Sequence, residues 1–325
     1  MVVNLFRHTQ SISILILMAL CGMLWMGLSF QSLEPSIDGA SPFLSPLYNW
    51  LKTHVYLERI CLGILIFSQC ISMNRMMAKQ KVISINSSFP ALFYFLLIST
   101  SPNGIYLSPS LISMSFILAA LNKILNTYLK KEAYNHVFES AFFLSIATLI
   151  HPPFFVFTLL VWIGMSIFSQ VEWRHWAISF LGVICPWFLF YTTVTFFSAA
   201  DLNAFNFFES LLPINSTTKI DAGDFLTLFV FGVVSLLSIF ELLISLRQKN
   251  IKARKSYVLF LWILILGAVY FYFSEGPMYE KLRIFALPLS AIMSNYFYYN
   301  NKRTWLNSLA FVLLCALFVN HLLFQ

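Results

Sequence analysis

Seven charged or titratable side chains stand beside the ends of apolar runs: Glu34, Asp38, Lys52, His54, Arg59, Lys281 and Arg283. Glycosyl transfer from a lipid-phosphate donor needs such groups at a membrane edge. A carboxylate must accept the proton of the attacking hydroxyl. Cations must hold the departing phosphate. Glu34 and Asp38 are therefore the candidate catalytic acids. His54, Arg59, Lys281 and Arg283 are candidate substrate-binding groups. His151 joins them because it follows an apolar run and precedes Pro152-Pro153, where a polar ring can face an external cavity. Two plainer readings stay open: His151 as an interfacial helix cap, and the charges as an ordinary membrane rim.

Other chemistries find no support. The chain contains no Walker A sequence, no G-x-G-x-x-G, no H-E-x-x-H and no G-x-S-x-G. Cys21, Cys61, Cys70, Cys185 and Cys315 lie in apolar stretches without a CxxC or Cys/His neighbour. They read as small buried hydrophobes, not disulfides or metal ligands. No metal site and no cofactor is expected. Glu241 is an acid deep in an apolar run, six residues before Arg247, or roughly 9 Å from that run's end at 1.5 Å per residue. It reads as a snorkelling or lysine-paired group, with an ion-translocating role as the alternative. Asn215-Ser216-Thr217 matches a glycosylation acceptor that has no meaning in a bacterial protein.

The elements that position these residues follow from composition. Of 325 residues, 59% are hydrophobic and 10% charged. A soluble domain carries roughly 25% charged residues, so this chain could not cover its surface in water, whereas lipid requires an apolar exterior. A span takes roughly 17–25 apolar residues. Eleven segments qualify: 11–30, 57–73, 88–101, 107–125, 137–151, 153–169, 176–198, 225–246, 256–274, 283–299 and 304–324. The expected fold is all-α, a single integral membrane domain over 1–325 forming a polytopic bundle of about 11 transmembrane helices. Arg7 and His8 before the first run resemble a signal peptide, but the run is too long and no A-x-A site follows, so it reads as an uncleaved helix.

Charge checks the count. With the N-terminus cytoplasmic, Arg7, Arg75, Lys79, Lys81, Lys123, Lys130, Lys131, Arg174, Arg247, Lys249, Lys252, Arg254, Lys255, Lys302 and Arg303 share one side. That is 15 of the 20 basic residues, as cytoplasmic loops require. The other side receives nine of the 13 acids: Glu34, Asp38, Glu58, Asp201, Glu209, Asp221, Asp224, Glu275 and Glu280. The expected C-terminus is external. The net charge of +7 is thus an orientation signal, and the run Arg247–Lys255 a stop-transfer element attracting anionic headgroups, not a nucleic-acid site.

Two spans are short. Segment 88–101 runs from Ser-Ser-Phe-Pro to Ser-Pro-Asn-Gly, and 137–151 ends at His151-Pro152-Pro153. Proline lacks the N–H and disfavours helix in the residue before it. Such ends below the membrane surface imply surrounding protein or a water-filled cavity; tilted helices in a plain bundle are the alternative. Two external loops have substance, Gln31–Tyr56 and Ala199–Asp224. In the first, Pro42–Leu51 suits an interfacial helix with Tyr48 and Trp50 at headgroup level.

Residues 130–190 carry a resemblance. Phe138-Glu139-Ser140-Ala141-Phe142 is followed by a proline after the short span, then Trp173-Arg174-His175-Trp176 opens a helix containing Leu181-Gly182 and Pro186. The pattern resembles an uncharacterised, domain-of-unknown-function family of multi-pass inner-membrane proteins of Bacteroidota. Where that family has aromatic-Pro, this chain has His151-Pro152. The resemblance implies an inner-membrane location and no known catalytic residues. More loosely, the layout is similar to GT-C-type glycosyltransferases and O-antigen polymerase-like proteins. Their acidic motif after the first span has only Glu34-Pro-Ser-Ile-Asp38 as a counterpart, with spacing unlike a compact D-x-D.

Three functions are compatible with these features. The first is a GT-C-like protein handling polyprenyl-linked sugars in envelope glycan assembly. The second is a non-enzymatic membrane subunit of an envelope assembly, export or secretion complex. The third is a transporter or flippase. The expected location is the bacterial inner (cytoplasmic) membrane. The expected partners are the lipid bilayer, a polyprenyl-phosphate-linked substrate and other membrane proteins. Reporter fusions after Arg254 and after Gln325 should report opposite sides of the membrane; the same side for both would refute the span count.

Overall fold

The computed structural model describes residues 54–83, 87–101, 106–128, 133–168, 172–196, 222–274, 277–300 and 302–323, together with Phe6, Ser13, Ile16, Met18 and Ala19. Segment 11–30 falls largely outside the described residues, as do both external loops, with Glu34, Asp38 and Asn215.

The described residues form helices and no strand. They are α1 (Val55–Lys79), α2 (Phe89–Ile98), α3 (Pro109–Leu125), α4 (Tyr134–Ile150), α5 (Leu159–Phe168), α6 (Trp173–Phe196), α7 (Ala222–Ser245), α8 (Ile251–Phe273), α9 (Met278–Arg283), α10 (Ala286–Tyr299) and α11 (Arg303–Leu323). A 3₁₀ segment, Pro152–Thr158, joins α4 to α5. Five stretches are long and apolar enough to cross a membrane: Tyr56–Lys79, Trp173–Thr193, Phe225–Gln248, Ile251–Phe273 and Thr304–His321. Phe89–Ile98, Pro109–Leu125 and Pro152–Phe168 are apolar but shorter.

Helix α2 lies in the middle, between α1 and α10. Nine of its ten residues are buried. Ten residues rise only about 15 Å, half the thickness of a hydrocarbon core of roughly 30 Å. A short helix surrounded by protein need not reach a membrane surface, but its last carbonyls still need partners. Other helices supply them. His321 bonds through Nε2 to the Ser99 carbonyl at 2.8 Å, and Asn320 donates to the Thr100 carbonyl at 2.9 Å. Thr227 donates to that same carbonyl at 3.3 Å.

Helix α4 stops as its prolines require. His151 is extended (φ −134°, ψ 95°), and the chain turns back at once through the 3₁₀ segment. The break at 151–153 is therefore real, and the re-entering chain begins as a tight helix before relaxing into α5.

The α4–α6 contact is made of small residues. A Cβ placed on Gly182 would stand 2.7 Å from the Ala141 Cβ and 2.8 Å from the Phe138 carbonyl. Ser145 donates to the Val183 carbonyl at 2.6 Å. Small residues let backbones approach where lipid supplies no hydrophobic drive between helices. The outer faces are apolar: Phe180, Leu181, Ile184 and Phe188 on α6, and Phe229, Leu236 and Phe240 on α7, are exposed. Exposed apolar faces of this extent suit lipid and not water.

Contacts between helix ends fall into two groups. At one end Glu58, Ser99, Ser108, His151, Thr227, Glu280, Arg283 and His321 adjoin the starts of α1, α3, α7 and α9 and the ends of α2, α4 and α11. At the other end Lys252 donates to the Lys79 carbonyl at 3.3 Å, and Tyr299 to the Val82 carbonyl at 3.1 Å. The Lys255 ammonium stands 5.5 Å from the Tyr128 ring centre there. Gly182→Val should break the α4–α6 contact. The expected loss is about 1–3 kcal/mol, read as a lowered Tm in detergent, with Gly232→Val, where a Cβ meets open space, as the unaffected control.

Candidate functional site

The first group of helix ends holds a buried polar cluster. Its centre is Arg283, the last residue of α9 and only 3% exposed. Position and chemistry put it there. The helix starts after Pro277, whose fixed φ suits a helix entry, and Glu280 sits in its first turn while Lys281 and Arg283 occupy its last, as the helix dipole favours. The chain then runs directly into the buried α10, so Arg283 is carried inward.

Arg283 donates through Nη1 to Ser108 Oγ. Ser108 is the N-cap of α3, and its Oγ also accepts the Leu111 N–H at 3.2 Å. Ser110 Oγ lies 2.9 Å from the Ser108 hydroxyl. The guanidinium carbon stands 5.4 Å from the ring centre of Tyr106, whose hydroxyl donates to Glu280. Burial, and then the Glu280 charge, push the Tyr106 phenol far above its ordinary range, so it stays a donor at every physiological pH. Glu58 accepts the Leu107 N–H at 3.4 Å. Two carboxylates thus hold the 106–107 backbone and ring, while the cation points at hydroxyls. Arg283 forms no ion pair among the described residues, and its Nη2 has no hydrogen-bond partner among them.

Tyrosines extend the cluster inward. The phenols of Tyr94, Tyr106 and Tyr270 all lie within electrostatic range of Arg283. Tyr94 donates to Gln69 Oε1 at 2.9 Å, and Gln69 in turn donates to the Leu111 carbonyl at 2.9 Å and to Ser115 at 2.7 Å. His151 Nε2 lies 3.0 Å from the Tyr270 hydroxyl.

Of the residues singled out from sequence, Arg283 and His151 join this cluster. His151 is buried, edge-on to Phe154 with ring centres 4.7 Å apart, so it packs among aromatic rings. Lys281 is half-buried on α9, its ammonium 6.0 Å from the Phe271 ring centre. Arg59 is half-buried beside Glu58, and His54 is exposed at the N-cap of α1. Glu34 and Asp38 lie outside the described residues. Tyr94, Tyr106, Ser108 and Tyr270 carry no mark in the sequence, and Glu58 and Glu280 read there only as acids of the external side. Their placement between helix ends was a usable signal for the two acids; nothing local marks the tyrosines.

An open cleft of about 480 Å³ at the opposite end is lined by Tyr134, Asn135, Phe138, Glu139 and Ile178. Its acid is already compensated, since Lys123 Nζ stands 2.6 Å from Glu139. Among the described residues no group of three or more His, Cys, Asp or Glu side chains could hold a metal ion. The described cysteines Cys61, Cys70, Cys185 and Cys315 are free thiols.

A family model of unknown function, DUF6427, matches residues 41–324. The chain belongs to the family DUF6427. An uncharacterised family is what the stretch 130–190 pointed to, and the match extends that likeness over nearly the whole chain. No curated protein matches the chain, and no solved structure does. In this member of DUF6427 the buried Arg283 cluster is the place where described side chains converge. Tyr106→Phe should leave the Glu280 carboxylate short of a donor and cost about 1–3 kcal/mol. A Tm for that variant equal to that of the parent protein would refute the Tyr106–Glu280 bond.

Proposed function

We propose that this protein is a multi-pass protein of the bacterial inner membrane, GT-C-like, that takes a polyprenyl-phosphate-linked sugar at the end of the bundle carrying Arg283. In this reading that end faces outward, about 11 helices cross the membrane, and the N-terminus is cytoplasmic. The observation that carries the proposal is Arg283 itself. A buried guanidinium with hydroxyl neighbours and an unmatched nitrogen is costly unless an anion meets it. A phosphate suits it, because guanidinium and phosphate form paired, charge-assisted hydrogen bonds. Ser108 and Tyr106 stand beside it as further hydroxyls.

The chemistry then divides as follows. A carboxylate of the first loop, Asp38 or Glu34, takes the proton of the acceptor hydroxyl. That oxygen forms a bond to the anomeric carbon as the carbon–oxygen bond to the phosphate breaks. The bond's electron pair leaves with the lipid phosphate, whose charge Arg283 offsets, with Lys281 and Arg59 at the rim. His54 and His151 complete the expected binding set. His151 acts on it through Tyr270.

Arg283→Ala should weaken binding of a polyprenyl phosphate to the purified protein by about 10–100-fold, the worth of a charge-assisted bond. Arg283→Lys should recover part of that. Unchanged affinity in the alanine variant would overturn the anion reading. In a deletion strain, Asp38→Asn should abolish the surface glycan at normal protein level, with Glu34→Gln showing which acid matters. Full complementation by the double variant would leave a non-enzymatic role.

A further inference from the structure

The opposite end of the bundle holds a second charged cluster. Helix α1 ends there in a complete Schellman turn. The Val82 N–H donates to the Met77 carbonyl at 3.2 Å, and the Lys81 N–H to the Ala78 carbonyl at 3.0 Å. Such a turn places its pivot residue in the left-handed region, where glycine is the usual occupant. Here the pivot is Lys81, with φ 56°. A lysine at that conformation is strained, and glycine would relieve the strain.

The strain sits beside a second cost. The turn places Lys79 and Lys81 close enough to Lys252 of α8 to repel it, and Lys252 is tied to the spot by its bond to the Lys79 carbonyl. Neither lysine of the turn nor Lys252 forms an ion pair among the described residues. Between the two turn lysines lies Gln80, fully buried, whose amide nitrogen and oxygen both lack partners among the described residues. A strained backbone and an unmatched buried amide coincide within one turn of chain, and the ammonium group of Lys252 is held beside the two lysines of that turn.

We propose that Lys79, Lys81 and Lys252 form a binding site for the headgroup of an anionic phospholipid. A phosphodiester placed among the three ammonium groups gives each a charged acceptor. Helix α8, which carries Lys252, leaves Ile251 exposed at this end and Trp262 exposed further along, so acyl chains have a face to lie along. Lys81 occupies the glycine position because the charge is needed where the turn directs it.

The test uses the full-length protein in zwitterionic detergent, with thermal unfolding followed as dioleoyl phosphatidylglycerol, dioleoyl phosphatidylcholine or glycerol 3-phosphate is added. Phosphatidylglycerol should raise Tm, and the other two should not. Lys81→Gly should behave in two opposed ways. Without added lipid its Tm should rise by about 2 °C, because the strain is gone. Its apparent affinity for phosphatidylglycerol should fall about fivefold, the usual worth of one lysine near an anionic surface. Lys252→Gln should lower the affinity similarly without the baseline rise. Lys302→Ala, at an exposed lysine outside the cluster, should leave the affinity intact. A full phosphatidylglycerol response in both Lys81→Gly and Lys252→Gln would overturn the site, as would an equal loss in Lys302→Ala. An equal response to glycerol 3-phosphate would overturn the lipid as its occupant.

Discussion

An apolar bundle contains no water to satisfy a backbone carbonyl, so each helix that ends inside it needs side chains from elsewhere. Helix α2 meets that constraint most directly. It ends about half-way through what a bilayer would require, and its final carbonyls are reached by Thr227, Asn320 and His321. Those three residues lie on α7 and α11, far away in sequence. Because they close the end of α2, the next described residues, Tyr106, Leu107 and Ser108, can lie buried at the start of α3. Tyr106 and Ser108 are thereby set beside Arg283 at the start of α3. The polar cluster therefore depends on a short helix being satisfied by distant side chains.

The two ends of the bundle solve different electrostatic problems. At the α2–α3 end the acids Glu58 and Glu280 are committed to the 106–107 segment, and a buried guanidinium faces hydroxyls. At the other end the cations lie nearer the surface and crowd one another. Lys249 there approaches the Tyr299 ring to 3.7 Å, and burial lowers its affinity for a proton while Glu241 partly restores it. Glu241 is close enough to Lys249 to act on it electrostatically. Arg283 at one end, and Lys79, Lys81 and Lys252 at the other, form no ion pair with a carboxylate among the described residues.

The stretch that resembled an uncharacterised family also gains a physical meaning. Its two halves face each other. Phe138 and Ala141 form the surface onto which Gly182 packs, and any larger residue at 182 would meet a backbone carbonyl. Trp176 stacks on Trp162 and Phe180 lies tilted against it, at 5.9 Å and 5.4 Å between ring centres, so the tryptophan-rich entry of α6 docks on α5. The pattern therefore records a helix–helix contact. It carries no chemistry that the geometry reveals.

The sequence alone determined what depends on local composition and covalent geometry. Apolar length gave helices able to cross a membrane, and five of them have that length in the fold. Pro152 and Pro153 determined that α4 must stop at His151, because a proline ring forbids the helix before it. The depletion of charge determined that the outer faces are apolar. Only the tertiary structure decided which polar residues meet. Arg283 and Ser108 are 175 positions apart, and Tyr106 and Glu280 are 174 apart. His151 reads from sequence either as a group facing an external cavity or as a helix cap, and in the fold it is the C-cap of α4 and packs on Tyr270 and Phe154. No periodicity or spacing encodes those meetings, since they follow from how α3, α8 and α9 pack around one another once backbone groups have found partners.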